Sequence, residues 1–93
     1  MTFKVDQQVQ WQSSSGGSTT TKKGKVIRVV DPGQKKVGTL MYRLAQRLGA
    51  KNEYGGGMSR NHQSYIVLVR SEKGRAKPRL YWPVASMLQA VEG

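Results

Sequence analysis

The segment Lys22-Lys23-Gly24-Lys25-Val26-Ile27-Arg28-Val29-Val30 most constrains what this chain can fold into. Val26, Ile27, Val29 and Val30 are β-branched. Two heavy atoms on Cβ stiffen χ1 and suit a pleated backbone better than a helix. Regular alternation puts Val26 and Val30 on one face and Ile27 and Val29 on the other. Apolar residues on both faces predict an inner strand with neighbours packed around it. Lys22, Lys23 and Lys25 precede the apolar run and Arg28 interrupts it, so cations belong to the same element.

The flanking segments supply partners for such a strand. Phe3, Val5, Val9 and Trp11 occupy odd positions, with Lys4, Asp6, Gln8, Gln10 and Gln12 between them. That alternation predicts a strand with one buried face, bent at Asp6-Gln7-Gln8 where Gln7 breaks the apolar series. Ser13–Thr21 has no core-forming residue and reads as a mobile hairpin loop. Asp31-Pro32-Gly33 stops the second strand. Leu40, Met41, Leu44 and Leu48 then recur at helical spacing, with Thr39 as N-cap and Gly49 just past the end. A nine-residue helix is marginal alone and has to dock through its leucines. Gly55-Gly56-Gly57 and the residues to Gln63 read as a loop. Ser64–Arg70 is the clearest strand in the chain and the natural partner of Lys25–Val30. Ser71-Glu72-Lys73-Gly74 turns it back into a strand over Lys77–Trp82, whose Pro78 marks an edge or a strand entrance. The spacing of Val84, Met87, Leu88 and Val91 fits a helix, but a short 3₁₀ turn followed by a closing strand fits a small barrel better. With 93 residues, the chain is expected to form one domain over 1–93, with 33–63 as an insertion.

A family resemblance follows from these residues. Phe3-Lys4-Val5-Asp6-Gln7-Gln8-Val9-Gln10-Trp11, a Gly/Ser loop, then Gly24-Lys25-Val26-Ile27-Arg28-Val29-Val30 resembles the opening hairpin of SH3-like small barrels. Tudor-type and KOW-type domains commonly begin this way, and short bacterial Tudor-like domains of unassigned role look similar. The likeness covers residues 3–30, and residues 64–91 as a strand pattern. This chain has Asp6-Gln7 where many relatives have Gly-Asp at the bend, and it inserts Gly33–Gln63. The resemblance implies a mainly β fold: a single SH3-like antiparallel β-barrel with one short helix between the second and third strands. Such barrels serve ribosomal, translational, chromatin and signalling roles, so fold alone leaves function open.

Charge is the strongest functional signal. Sixteen Lys and Arg against five Asp and Glu give a net charge of +11. Such a field favours polyanions and accelerates encounters with them. The absence of cysteine excludes disulfides and thiolate metal sites. No apolar h-region and no run of membrane-spanning length appears, which predicts a cytoplasmic protein without membrane contact. Five scattered carboxylates offer no paired acid and base, and His62, the only histidine, has no carboxylate placed to orient it. Gly55-Gly56-Gly57-Met58-Ser59-Arg60 lacks the ending of a P-loop. No catalytic residue, metal site or cofactor is expected.

The expected function is non-enzymatic binding of DNA or RNA through a basic face, with low sequence specificity. Lys22, Lys23, Lys25 and Arg28 would hold phosphates together with Arg70, Lys73, Arg75, Lys77 and Arg79 of the second hairpin. Arg43 and Arg47, four residues apart on the helix, would extend the surface. Tyr81 shares an outer face with Arg79, where a base could stack on it, whereas Trp11 and Trp82 read as core. The competing reading of the charged hairpin is a solvated tip, and that of each ring is packing. Two other functions use the same residues. One is an interaction module for an acidic or proline-rich segment of a partner protein. The other is a homo-oligomeric assembly protein whose Leu40–Leu48 helix packs between subunits. A monomer or small homo-oligomer is compatible with these readings.

Overall fold

Fifteen residues in the described part of the chain are buried and apolar, and they fall into two clusters on opposite faces of one sheet. The computed structural model describes residues 2–15, 17–53, 60–70 and 76–91. In chain order the elements are β1 (Gln8–Ser15), β2 (Ser18–Val30), α1 (Val37–Leu48), β3 (Lys51–Asn52), β4 (Ser64–Val69), β5 (Arg79–Tyr81), a 3₁₀ turn (Ala85–Met87) and β6 (Gln89–Ala90). The protein is mainly β, with a six-stranded sheet in the order β3, β5, β4, β2, β1, β6. Pairing is antiparallel except between β3 and β5, which run parallel because α1 returns the chain alongside β5 in the same direction. Among the described residues the pairing ends at β3 and β6 and does not close into a ring.

The thirteen-residue β2 organises the sheet by dividing itself between two partners. Residues Ser18–Lys25 pair with β1, and residues Lys25–Val30 pair with β4, overlapping only at Lys25. Gly24 sits at this changeover. A Cβ there would lie 2.5 Å from the Leu68 carbonyl oxygen and 2.7 Å from Val67 Cγ1, so β2 passes β4 at a distance no side chain allows. One face of the sheet is concave as a result. β1 and β5 stand three strand spacings apart, about 14 Å if flat. Trp11 on β1 nevertheless meets Tyr81 on β5 edge-on, with ring centroids 5.7 Å apart.

That concave face encloses Phe3, Val9, Trp11, Val26, Tyr65, Val67 and Leu88. Phe3 stacks edge-on against Tyr65, and its N–H donates to the Tyr65 hydroxyl at 3.2 Å. The other face is covered by α1, whose Val37, Met41 and Ala45 pack against Val30, Ile66, Leu68, Leu80 and Trp82. Trp82 Nε1 donates to the buried Ser64 hydroxyl at 2.8 Å.

Several expectations hold and several need correction. β2 is the inner strand, β4 is its partner, and Trp11 and Trp82 are core residues. Gly49 ends α1 at φ 63, and the chain closes with a 3₁₀ turn and a strand on β1. The helix begins at Val37, after Lys36 in the left-handed region, rather than at Thr39. It docks most deeply through Val37, Met41 and Ala45; Leu40 and Leu44 pack against the same cluster as expected but only partly buried, and Leu48 is 40% exposed. Its packing is on its own sheet. Most of the expected Ser13–Thr21 loop is strand: Gln12 to Ser15 pair with Thr21 to Ser18 in a two-stranded ribbon. Ladder hydrogen bonds and β-branched threonines sustain it without a core of its own. Val26 and Val30 do not share a face. A register shift between Val26 and Arg28 leaves Val26 and Val29 with the concave cluster, and Ile27 and Val30 with the helix-covered one.

Candidate nucleic-acid interface

The division of β2 creates a site. Where β2 leaves β4 to follow β1, the strands splay, and a cleft of about 690 Å³ opens between Thr21–Lys23 on one side and Val69–Arg70 on the other. Ala76, Lys77, Arg79 and Tyr81, on and just before β5, complete its wall. Five cations therefore line one cavity: Lys22, Lys23, Arg70, Lys77 and Arg79. No acidic side chain lines it among the described residues.

Strand alternation decides how these cations are presented. Lys22 stands opposite Trp11 and shares the concave face, with its Nζ 5.4 Å from the Tyr81 ring centroid. Tyr81 is half-buried, in T-shaped contact with Trp11 and with Lys22 over its ring, so it forms an aromatic wall rather than a free-standing platform. Arg79 stands opposite Val69 and reaches Glu53, with Nη1 3.4 Å from Oε1. Lys51 approaches the same oxygen at 3.8 Å. Glu53 thus anchors the outer end of the cleft and holds Arg79 in place.

The site residues read from the sequence divide accordingly. Lys22, Lys23, Arg70, Lys77, Arg79 and Tyr81 come together in the cleft. Lys25 lies next to it, opposite Leu68, in a groove that shares Lys23 and Arg70 with the cleft. Lys22 and Lys25 therefore belong to opposite faces of β2 and do not form one flat surface. Arg28 is exposed opposite Ile66, beyond the cleft. Arg43 and Arg47 are exposed on α1 and do not line the cleft. Lys73 and Arg75 lie outside the described residues.

Two charged residues have roles that the sequence did not reveal. Arg60 donates from Nη1 to the Pro83 carbonyl at 2.8 Å and from Nη2 to the Trp82 carbonyl at 2.9 Å. Its guanidinium also lies 3.7 Å from the Trp82 ring centroid, clamping the chain beyond β5 to the core. Glu53 is the other. Neither carries a local signal, because each role depends on a contact made across the fold. His62 is exposed beside Asn61.

Among the described residues no cluster of three His, Cys, Asp or Glu is placed to hold a metal, and no helix is long and apolar enough to cross a membrane. Compared with family models, curated proteins and solved structures, the chain matches none.

Proposed function

We propose that this chain is a non-enzymatic nucleic-acid-binding protein of SH3-like design that holds a phosphate backbone in the cleft between β2 and β5. The observation that carries this reading is the convergence of Lys22, Lys23, Arg70, Lys77 and Arg79 on one concavity of about 690 Å³. Glu53 pairs with Arg79 at the outer end, and no acidic side chain among the described residues lines the cleft itself, so like charges repel one another there and a polyanion relieves that repulsion while releasing its condensed counterions. The concave shape favours a strand entering the cleft over a flat encounter with the surface. Tyr81 is a wall rather than a stacking platform and backbone contacts dominate, so discrimination among sequences is weak. The SH3-like assignment is supported by the β2 strand shared between two partners and by the 3₁₀ turn that leads into a strand on β1.

Fluorescence anisotropy with labelled single-stranded RNA, single-stranded DNA and duplex DNA tests the reading. Micromolar or tighter binding near physiological salt is expected, weakened by Lys22→Ala and Lys77→Ala. No binding to any of the three at low salt contradicts it.

A further inference from the structure

A second concavity lies on the other side of Lys23 and Arg70. Ile27, Leu68 and Leu48 form its apolar floor, Lys23, Lys25 and Arg70 its cationic rim, and Asp6 and Gln8 also line it. Its volume is about 340 Å³, at the small end of the range of roughly 300–1,000 Å³ for ligand pockets. Leu48 is the last residue of α1, and 40% of its surface remains exposed although the helix has apolar neighbours to pack on. Asp6 reaches Lys25 at 3.9 Å, but both side chains are exposed, and an exposed pair of this kind is exchanged readily.

The combination selects a ligand. A sugar-phosphate backbone satisfies the rim and leaves the floor uncovered. A neutral apolar ligand covers the floor and adds no counter-charge to the three cations, of which Lys25 has only its exposed pair with Asp6. A polypeptide carries carboxylates and an apolar side chain within a few residues of each other, and so meets both. We infer that this groove binds an acidic segment of a partner protein, with one aliphatic or aromatic side chain resting on Leu48, Ile27 and Leu68 and flanking carboxylates on Lys23, Lys25 and Arg70. The groove shares Lys23 and Arg70 with the nucleic-acid cleft but has its own floor of Ile27, Leu68 and Leu48, away from Lys77 and Tyr81, and peptide binding to it is measurable with no nucleic acid present.

The probe is a fluorescein-labelled twelve-residue peptide of Asp and Glu around a central Leu-Phe pair, titrated with the full chain at physiological salt. Replacing Leu-Phe by Ser-Ser in the peptide is expected to weaken binding by about tenfold or more, as for loss of an apolar group from its pocket. Leu48→Ser, a change at an exposed position, is expected to weaken it comparably while leaving oligonucleotide binding unchanged. Lys77→Ala, outside the groove, is expected to leave peptide affinity within about twofold. Equal binding of the Ser-Ser peptide overturns the inference, because attraction would then follow net charge alone. An effect of Lys77→Ala as large as that of Leu48→Ser overturns it too, as does absence of binding.

Discussion

Gly24→Ala is the substitution that bears most directly on how the fold makes its site. The added methyl would sit 2.5 Å from the Leu68 carbonyl oxygen, 2.7 Å from Val67 Cγ1 and 3.0 Å from Val69 Cγ2. Even a close C–H···O contact keeps carbon and oxygen about 3.3 Å apart, so β2 and β4 have to separate by the better part of an ångström. Inserting a methyl into packed surroundings costs about 1–3 kcal/mol. The upper end applies because one obstacle is backbone and cannot rotate away. Loss of glycine's unfolded-state entropy returns about 0.5–1 kcal/mol, leaving a net destabilisation of about 2 kcal/mol. For a domain of this size that corresponds to a Tm lower by roughly 8–16 °C, read by circular dichroism and checked by urea denaturation. Thr20→Ala, on the exposed ribbon of the same strand, is the control and is expected to stay within about 0.5 kcal/mol. The same separation of strands reshapes the cleft mouth, so oligonucleotide affinity is expected to fall at temperatures where the variant remains folded. A Gly24→Ala protein within about 0.5 kcal/mol of the parent would refute the close passage of β2 against β4 and, with it, the explanation of the cleft.

Other expectations concern the polar groups that hold the core and the cleft. Ser64→Ala leaves Trp82 Nε1 without this acceptor in the interior and is expected to cost about 1–3 kcal/mol in urea denaturation; an unchanged midpoint would mean that the bond contributes nothing. Arg60→Ala removes two hydrogen bonds to the Trp82 and Pro83 carbonyls and is expected to cost about 2 kcal/mol. Arg60→Lys should recover little of that loss, because a compact ammonium cannot reproduce the planar fork, and full recovery would contradict the clamp. Glu53→Gln releases Arg79 toward the cleft and is expected to raise oligonucleotide affinity by about threefold, with a small change in Tm; weaker binding would mean that Glu53 positions Arg79 productively.

The sequence made the apolar strands legible because burial writes itself as β-branched runs and alternation: Val26–Val30 and Tyr65–Val69 stand out on that basis alone. The helix was legible in its C-terminal half, where Leu44, Leu48 and Gly49 mark spacing and stop. Its start was hidden, because Lys36 takes a left-handed conformation that its side chain does not announce. Ser13–Ser15 and Ser18–Thr21 carry no apolar signal of a strand, because β-ladder hydrogen bonds need no apolar side chain. The bulge beside Ile27 cannot be seen in an alternation pattern, since one extra residue leaves composition unchanged and reverses every facing beyond it. As for the site, the cation list was readable but its grouping was not. Lys22 and Lys23 face opposite sides, yet both line the cleft because β2 leaves β4 there. Arg28 and Arg43 look equally suitable in the sequence but lie outside the cleft.

The most direct test of the phosphate-binding cleft is the salt dependence of single-stranded DNA binding. Full engagement of the five cations, with Arg79 exchanging Glu53 for phosphate, gives a slope of log K against log salt of about −3.5, at roughly −0.7 per phosphate neutralised. Lys77→Ala should reduce its magnitude by about 0.7. A slope near zero, or one that Lys77→Ala leaves unaltered, would contradict a cleft built to hold a phosphate backbone.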